Sequence, residues 1–144
     1  MSLQKQTVTE SENFFGEVIY AYTRAQAIAD GCLVDVSETA QETGFKFPVA
    51  LTRAVWSDCV EWDDEDSRRQ THQDVAGRLW DVLYMGMIAA RANRTSSSQQ
   101  VLYHLVRVPR GGHATLPRRV TLKLHIGGGD NGEPVITIMQ PNED

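Results

Sequence analysis

No uninterrupted apolar run in the sequence approaches the ~20 residues that a membrane-spanning helix needs. The segment Met1 to Glu12 is polar and lacks the apolar centre of a secretory signal. The chain is therefore expected in the cytoplasm, with no membrane contact. Cysteine is scarce: Cys32 and Cys59 stand alone, outside any C-x-x-C pair, which excludes a disulfide framework and leaves buried free thiols as the expectation. Acidic residues are missing altogether between Asp81 and Asp130, while Arg91, Arg94, Arg107, Arg110, Arg118, Arg119 and Lys123 fall in that interval. That half is locally basic although the whole chain carries a net charge of −5.

The motifs of several reaction classes are missing too. There is no G-x-x-x-x-G-K-[ST], no G-x-G-x-x-G after a strand, no H-E-x-x-H and no G-x-S-x-G. Phosphate cradling and serine hydrolysis lose their usual support. The glycine-rich stretch 127–133 offers only Asp130 and Asn131 as oxygen ligands before its last glycine, too few for a calcium loop. His104 and His125 lie on strands expected to pair, and one register would set them opposite each other, but neither cysteine is near them. No metal site and no cofactor are expected.

What is present describes one domain. A chain of 144 residues can bury roughly two-thirds of its unfolded surface, and 41% apolar with 23% charged residues is an ordinary globular composition. Residues 1–13 read as a flexible tail, and 14–144 as a single α+β domain. Glu17 to Tyr22 is β-prone and can add an N-terminal strand. Thr23 is placed to cap a helix over Arg24 to Asp30 that Gly31 ends, and Ser37 to cap a second over Glu38 to Thr43 that Gly44 ends. The pairs Val55/Cys59 and Trp56/Val60 predict a third helix within Leu51 to Val60, followed by a charged loop from Glu61 to Gln70. The longest helix is predicted from about His72 to Ala92, with Val75, Leu79, Val82, Leu83, Gly86, Ala89 and Ala90 on one stripe.

Beyond the serine-rich segment 94–100 the pattern changes to strands. Val101 to Val108 is rich in β-formers, Val120 to Ile126 alternates, and the glycine turn returns the chain into Val135 to Met139. The expected architecture is a helical N-terminal half packed on a C-terminal antiparallel three-stranded β-meander.

Three runs, FGEVIYAYTRAQAIADGCLVDVSETAQETGF, QDVAGRLWDVLYMG and GDNGEPVITIMQPNED, resemble in order and spacing a family of small uncharacterised proteins encoded on bacterial plasmids, integrated elements and phages. The resemblance extends from Phe14 onward. It implies a mobile genetic element setting and assigns no residue a role. Tyr20, Tyr22, Thr23 and Arg24 also resemble the nicotinamide pocket entrance of ADP-ribosyltransferases. Those enzymes need a glutamate on a later strand, and the strands around 101–108 and 120–126 carry no carboxylate.

Two charged features remain. Glu61, Asp63, Asp64, Glu65 and Asp66 surround Trp62, an arrangement that suits a contact surface if the indole is exposed, while the arginines of the later hairpin can neutralise these acids within the fold. Arg107, Arg110, Arg118, Arg119 and Lys123 surround one hairpin and could meet phosphates. Asp74, Arg78 and Asp81, spaced four and three apart on the long helix, read as a buried polar cluster in which two carboxylates reach one guanidinium. The functional expectation is a non-enzymatic interaction protein working through the Trp62 loop or the arginine hairpin, with a protein partner or self-association through a strand edge ahead of nucleic acid. Its competitor is a small enzyme with a pocket near Tyr22, Arg24 and Arg78, and Cys59 with a distant histidine is a further nucleophile pairing.

Overall fold

The computed structural model describes residues 22–94 and 97–144. The expected tail over 1–13 and the body of the strand expected over Glu17 to Tyr22 lie outside the described residues. Thr23 accepts from the Gln26 amide while the Gln26 side chain returns to the Thr23 amide, a capping box that starts α1 (Arg24–Ala29). Asp130 of the distant glycine turn also accepts from the amides of Arg24 and Ala25, so the two ends of the chain are joined at this helix.

The short extended piece β1 (Leu33–Asp35) leads into α2 (Ser37–Thr43), which Gly44 ends at φ 116°. Ser37 is not its cap as expected. Its hydroxyl donates to Asp35 and accepts from the Val49 amide, stitching the helix start to the next strand.

That next strand is the main departure from the sequence reading. Val49–Thr52 forms β2, with all four residues buried, where the spacing of apolar pairs placed the start of a helix. Helical structure begins only at α3 (Arg53–Val55), capped by Thr52, and continues as a π-helical turn over Trp56–Val60. The charged loop contains a helix as well. Asp63 and Asp66 form a capping box at the start of α4 (Asp64–Arg69), with three acids in the first turn and two arginines in the last, which complements the helix dipole.

The long helix α5 (Val75–Ala92) starts three residues later than expected because Asp74 accepts from the Gly77 amide and fixes the first turn. Strands β3 (Gln100–Arg107), β4 (Arg118–Gly128) and β5 (Pro134–Met139) then pair antiparallel in sequence order. They do not end the sheet. β5 also pairs parallel with β2, and β2 antiparallel with β1, giving a five-stranded mixed sheet in the order β1-β2-β5-β4-β3. The class is α+β, but the predicted three-stranded antiparallel meander is too small.

One face of this sheet carries the core. Leu51, Leu122, Leu124, Ile136 and Ile138 meet Leu79, Val82, Leu83 and Met87 of α5 and Val55, Cys59 and Val60 of the π turn. Gly86 lets α5 approach β3 closely: a Cβ there would lie 3.1 Å from Tyr103 Oη, and that hydroxyl donates to the Val82 carbonyl at 2.9 Å. The opposite face holds Arg24, which donates to Thr137 and to the Ile136 carbonyl, and the C-terminal Glu143, which accepts from Thr52.

Candidate functional site

The acidic and basic segments meet. Arg110 at the end of the β3 side reaches Glu61 at 3.3 Å, Asp63 at 3.3 Å and Asp66 at 2.8 Å, and Arg107 bonds both oxygens of Asp58. Arg69 pairs with Asp66 and donates to the Gly112 carbonyl, and Gln70 donates to the carbonyls of Pro109 and Ala114. Mutual neutralisation within the fold is thus the arrangement observed. Desolvation pushes the Asp66 carboxyl up, but its bond from the Asp63 amide and its contact with Arg110 outweigh this and hold it down at about 2.

A carboxylate whose folded-state value is depressed contributes stability that is full above its unfolded value, about 4, and is lost as pH falls through 2. Acid titration of unfolding by circular dichroism is expected to show stability falling between pH ~4 and ~2, and Asp66→Asn to flatten that fall while lowering stability at neutral pH. An unchanged slope would mean that Asp66 is not the group being titrated.

Trp62 lies underneath this network, only 5% exposed, with Nε1 donating to Ser67. Its acidic neighbours Glu61, Asp63 and Asp66 are paired with Arg110. The Arg78 guanidinium stacks on the indole at 4.5 Å and is itself 5% exposed. Arg78 donates to the carbonyls of Val60, Val108 and Asp58 and to the Gln73 side chain. Its expected carboxylate partners are elsewhere: Asp74 caps the helix, and Asp81 is exposed and makes no ion pair among the described residues. The predicted Asp74–Arg78–Asp81 cluster is replaced by an arginine held by backbone carbonyls, because those two carboxylates sit at the solvent side of α5. Trp80 of the same helix is 39% exposed.

Other expected groupings are also separated. Arg24 lies on the face of the sheet opposite α5 and lines a pocket there that does not include Arg78, and Tyr22 donates to Asp30. His104 is opposite Thr121, and His125 opposite Gln100, so the two histidines do not face each other. Burial pushes the Cys59 thiol up to about 12, with Asp58 adding to the effect, which keeps the sulfur protonated and poorly nucleophilic at neutral pH. No group of three or more metal-binding side chains occurs among the described residues. Of the five hairpin cations, Arg107 and Arg110 are spent on carboxylates and Lys123 on the Glu143 carbonyl, leaving Arg118 and Arg119 exposed at the start of β4.

Sequence reasoning named a strand edge without placing it, and one outer strand of the sheet is β3. Its burial alternates, Tyr103 and Leu105 inward, Leu102 and Val106 outward at 61% and 59% exposure. The Gln99 carbonyl accepts from the Ile126 amide, so odd-numbered residues of this strand direct their backbone groups toward β4. Even-numbered residues direct theirs out of the sheet. An apolar groove of about 460 Å³ runs along this edge, lined by Asp81, Tyr84 and Met85 of α5, by His104, Leu105 and Val106 of β3, and by Arg119. Ile88 continues the exposed apolar side of the helix beyond it. The β-forming composition of β3 was readable from sequence, but its burial pattern and its position at the edge depend on the strand order.

No helix among the described residues is long and apolar enough to cross a membrane. Comparison with curated proteins and with solved structures finds no match. The model of a family of unknown function, DUF6573, matches residues 11–144, nearly the whole chain, and the protein belongs to that family.

Proposed function

We propose that this protein is a non-enzymatic interaction module that binds a protein partner by adding a strand to the open edge of β3. The observation that carries this reading is a solvent-facing edge strand with outward backbone groups and two largely exposed aliphatic side chains, Leu102 and Val106. Proteins ordinarily blunt such an edge with lysine, proline or a bulge, and β3 has no lysine or proline over Gln100–Arg107. Strand addition supplies main-chain hydrogen bonds for affinity and side-chain pockets for selectivity.

The contact surface therefore shifts from the Trp62 loop and the arginine hairpin, where the sequence placed it, to the strand beside them. Asp63, Arg107 and Arg110 have partners within the chain, and Asp64 lies in the first turn of α4. Arg118 and Arg119, exposed and in no ion pair among the described residues, offer little against a phosphate backbone, where affinity grows with the number of neutralised phosphates. A role as an accessory protein of a mobile genetic element, acting in the cytoplasm, belongs to this proposal through the family resemblance of the sequence.

Affinity capture tests it, with a tagged chain as bait in nuclease-treated lysate from cells that also express an untagged copy. A protein retained by the wild type, lost with Leu102→Lys and kept with Arg118→Ala/Arg119→Ala supports strand addition. Retention that is indifferent to Leu102→Lys, or that disappears with nuclease alone, overturns it.

A further inference from the structure

We infer that the small cavity between α5, the π turn and the end of β3 is a binding site for a small monocarboxylate, held by Arg78 and Arg107. The inference goes beyond the edge-binding reading and does not depend on what pairs with β3. The cavity measures about 130 Å³, and its lining includes Arg78 and Asp81 of α5, Cys59 of the π turn, Arg107 of β3, and Val108 and Pro117 beyond that strand.

Two guanidiniums thus border one cavity, and the chain does not fully satisfy either of them. Nε of Arg107 is buried and has no hydrogen-bond partner among the described residues, because Asp58 is bound through Nη2 alone. Arg78 directs Nε and Nη1 to Val60, Gln73 and Val108, while Nη2 has only a 3.4 Å contact with the Asp58 carbonyl. A buried N–H without an acceptor costs free energy comparable to a lost hydrogen bond, so native structures seldom leave one, and a bound ion is one of the groups that supply the acceptor.

Charge points the same way. Arg78 is 5% exposed, and its hydrogen bonds among the described residues all go to uncharged carbonyl oxygens. Buried charges are ordinarily paired. Beside it, Arg107 is balanced by Asp58, so the two guanidiniums carry one positive charge more than the carboxylate bonded to them, which a monoanion offsets. A planar carboxylate also matches the guanidinium fork, and Val108 and Pro117 offer apolar surface to a short aliphatic stem. Asp81 acts against this from the cavity wall: ionised, it opposes any anion, and a phosphate dianion more than a carboxylate. The volume is below the roughly 300 Å³ at which pockets for drug-sized ligands begin, so the acid has only a few carbon atoms.

Propionate is the probe. Heteronuclear NMR of the whole chain follows the arginine Nε–H signals while propionate, phosphate or chloride is added at constant ionic strength, the Arg107 signal being the one absent from Arg107→Lys. Propionate is expected to shift that signal saturably with a Kd of about 1 mM or tighter, and the other two anions are not. Asp81→Asn, at an exposed position, removes an opposing charge and is expected to tighten propionate binding about threefold or more. Arg107→Lys keeps the charge without the Nε donor and is expected to weaken it about tenfold, read from the Cys59 and Val108 amides. If circular dichroism shows that Arg107→Lys does not fold, Asp81→Asn still decides. An equal response to chloride would mean that water satisfies Arg107. A preference for phosphate would mean that the site is not built for a carboxylate, and propionate binding no tighter in Asp81→Asn would place it elsewhere on the protein. Each of these three results overturns the inference.

Discussion

Arg78→Ala is expected to lower unfolding free energy by about 4 kcal/mol, a large part of the stability of a domain this size. Three carbonyls from two separate places, Asp58 and Val60 of the π turn and Val108 beyond β3, converge on this one guanidinium. Removing it leaves buried acceptors unpaired, and each costs about 1–3 kcal/mol when water cannot reach it. It also takes away the cation stacked on Trp62. Burial lowers the affinity of the Arg78 guanidinium for its proton, yet arginine stays charged in proteins, so the site keeps five donors in a fixed fork. Arg78→Lys is expected to recover less than half of the loss, since a single ammonium cannot point at the π turn and the β3 end together. Arg78→Met separates packing from bonding, because it keeps the stem and none of the donors. Urea unfolding monitored by tryptophan fluorescence measures all three. A loss below about 1 kcal/mol for the alanine variant would show that water replaces the guanidinium in this position.

The second large effect is expected at Gly86. In an exposed helix, glycine to alanine gains up to about 1 kcal/mol of helix propensity. Here the new methyl would sit 3.1 Å from Tyr103 Oη, 3.2 Å from Cζ and 3.6 Å from Ile138 Cδ1. Crowding offsets the propensity gain, and Gly86→Ala is expected to be neutral or destabilising. Gly86→Leu must push α5 off β3 and break the Tyr103 to Val82 bond, with an expected loss of about 3 kcal/mol. Tyr103→Ala empties the same space, so the two changes together are expected to cost less than their sum. Strict additivity in a urea double-mutant cycle would mean that the helix and strand do not meet at this point.

These two residues show what distance along the chain hides. Gly86 lay on the predicted apolar stripe, but nothing local said that a tyrosine ring would fill the space above it. Arg78 was noticed for its neighbours at i−4 and i+3, which are helix-spacing partners, whereas its carbonyl acceptors on the backbone come from residues 18 to 30 positions away. Spacing rules describe one helix and cannot see a carbonyl that another segment delivers.

Local signals fixed the caps at Thr23 and the helix ends at Gly31 and Gly44, because each depends only on the few residues around a helix terminus. They also fixed the alternation of β4 and the reversal at the glycine turn, since hairpin neighbours are close in sequence. The helix α4 was missed although Asp63 and Asp66 have the spacing of a cap, because the density of acids was read as repulsion and solvation. The strand β2 was missed for a different reason. A central strand buried on both faces has no polar alternation, and Val-Ala-Leu-Thr looks the same on a helix or in a sheet. Its neighbour β5 lies more than eighty residues on, in parallel pairing that no turn motif announces.

Composition and local periodicity by themselves determined a folded α+β chain with a helical first half, a long apolar helix and a late run of antiparallel strands. Only the tertiary structure decided that opposite charges cancel between α4 and the β3 end, and that Trp62 lies beneath them. It also decided that β3 is an outer strand, paired on one side only among the described residues. The physical reason is shared: charge pairing, burial and edge position are properties of what lies across space from a residue, and they are set when strand order closes the sheet.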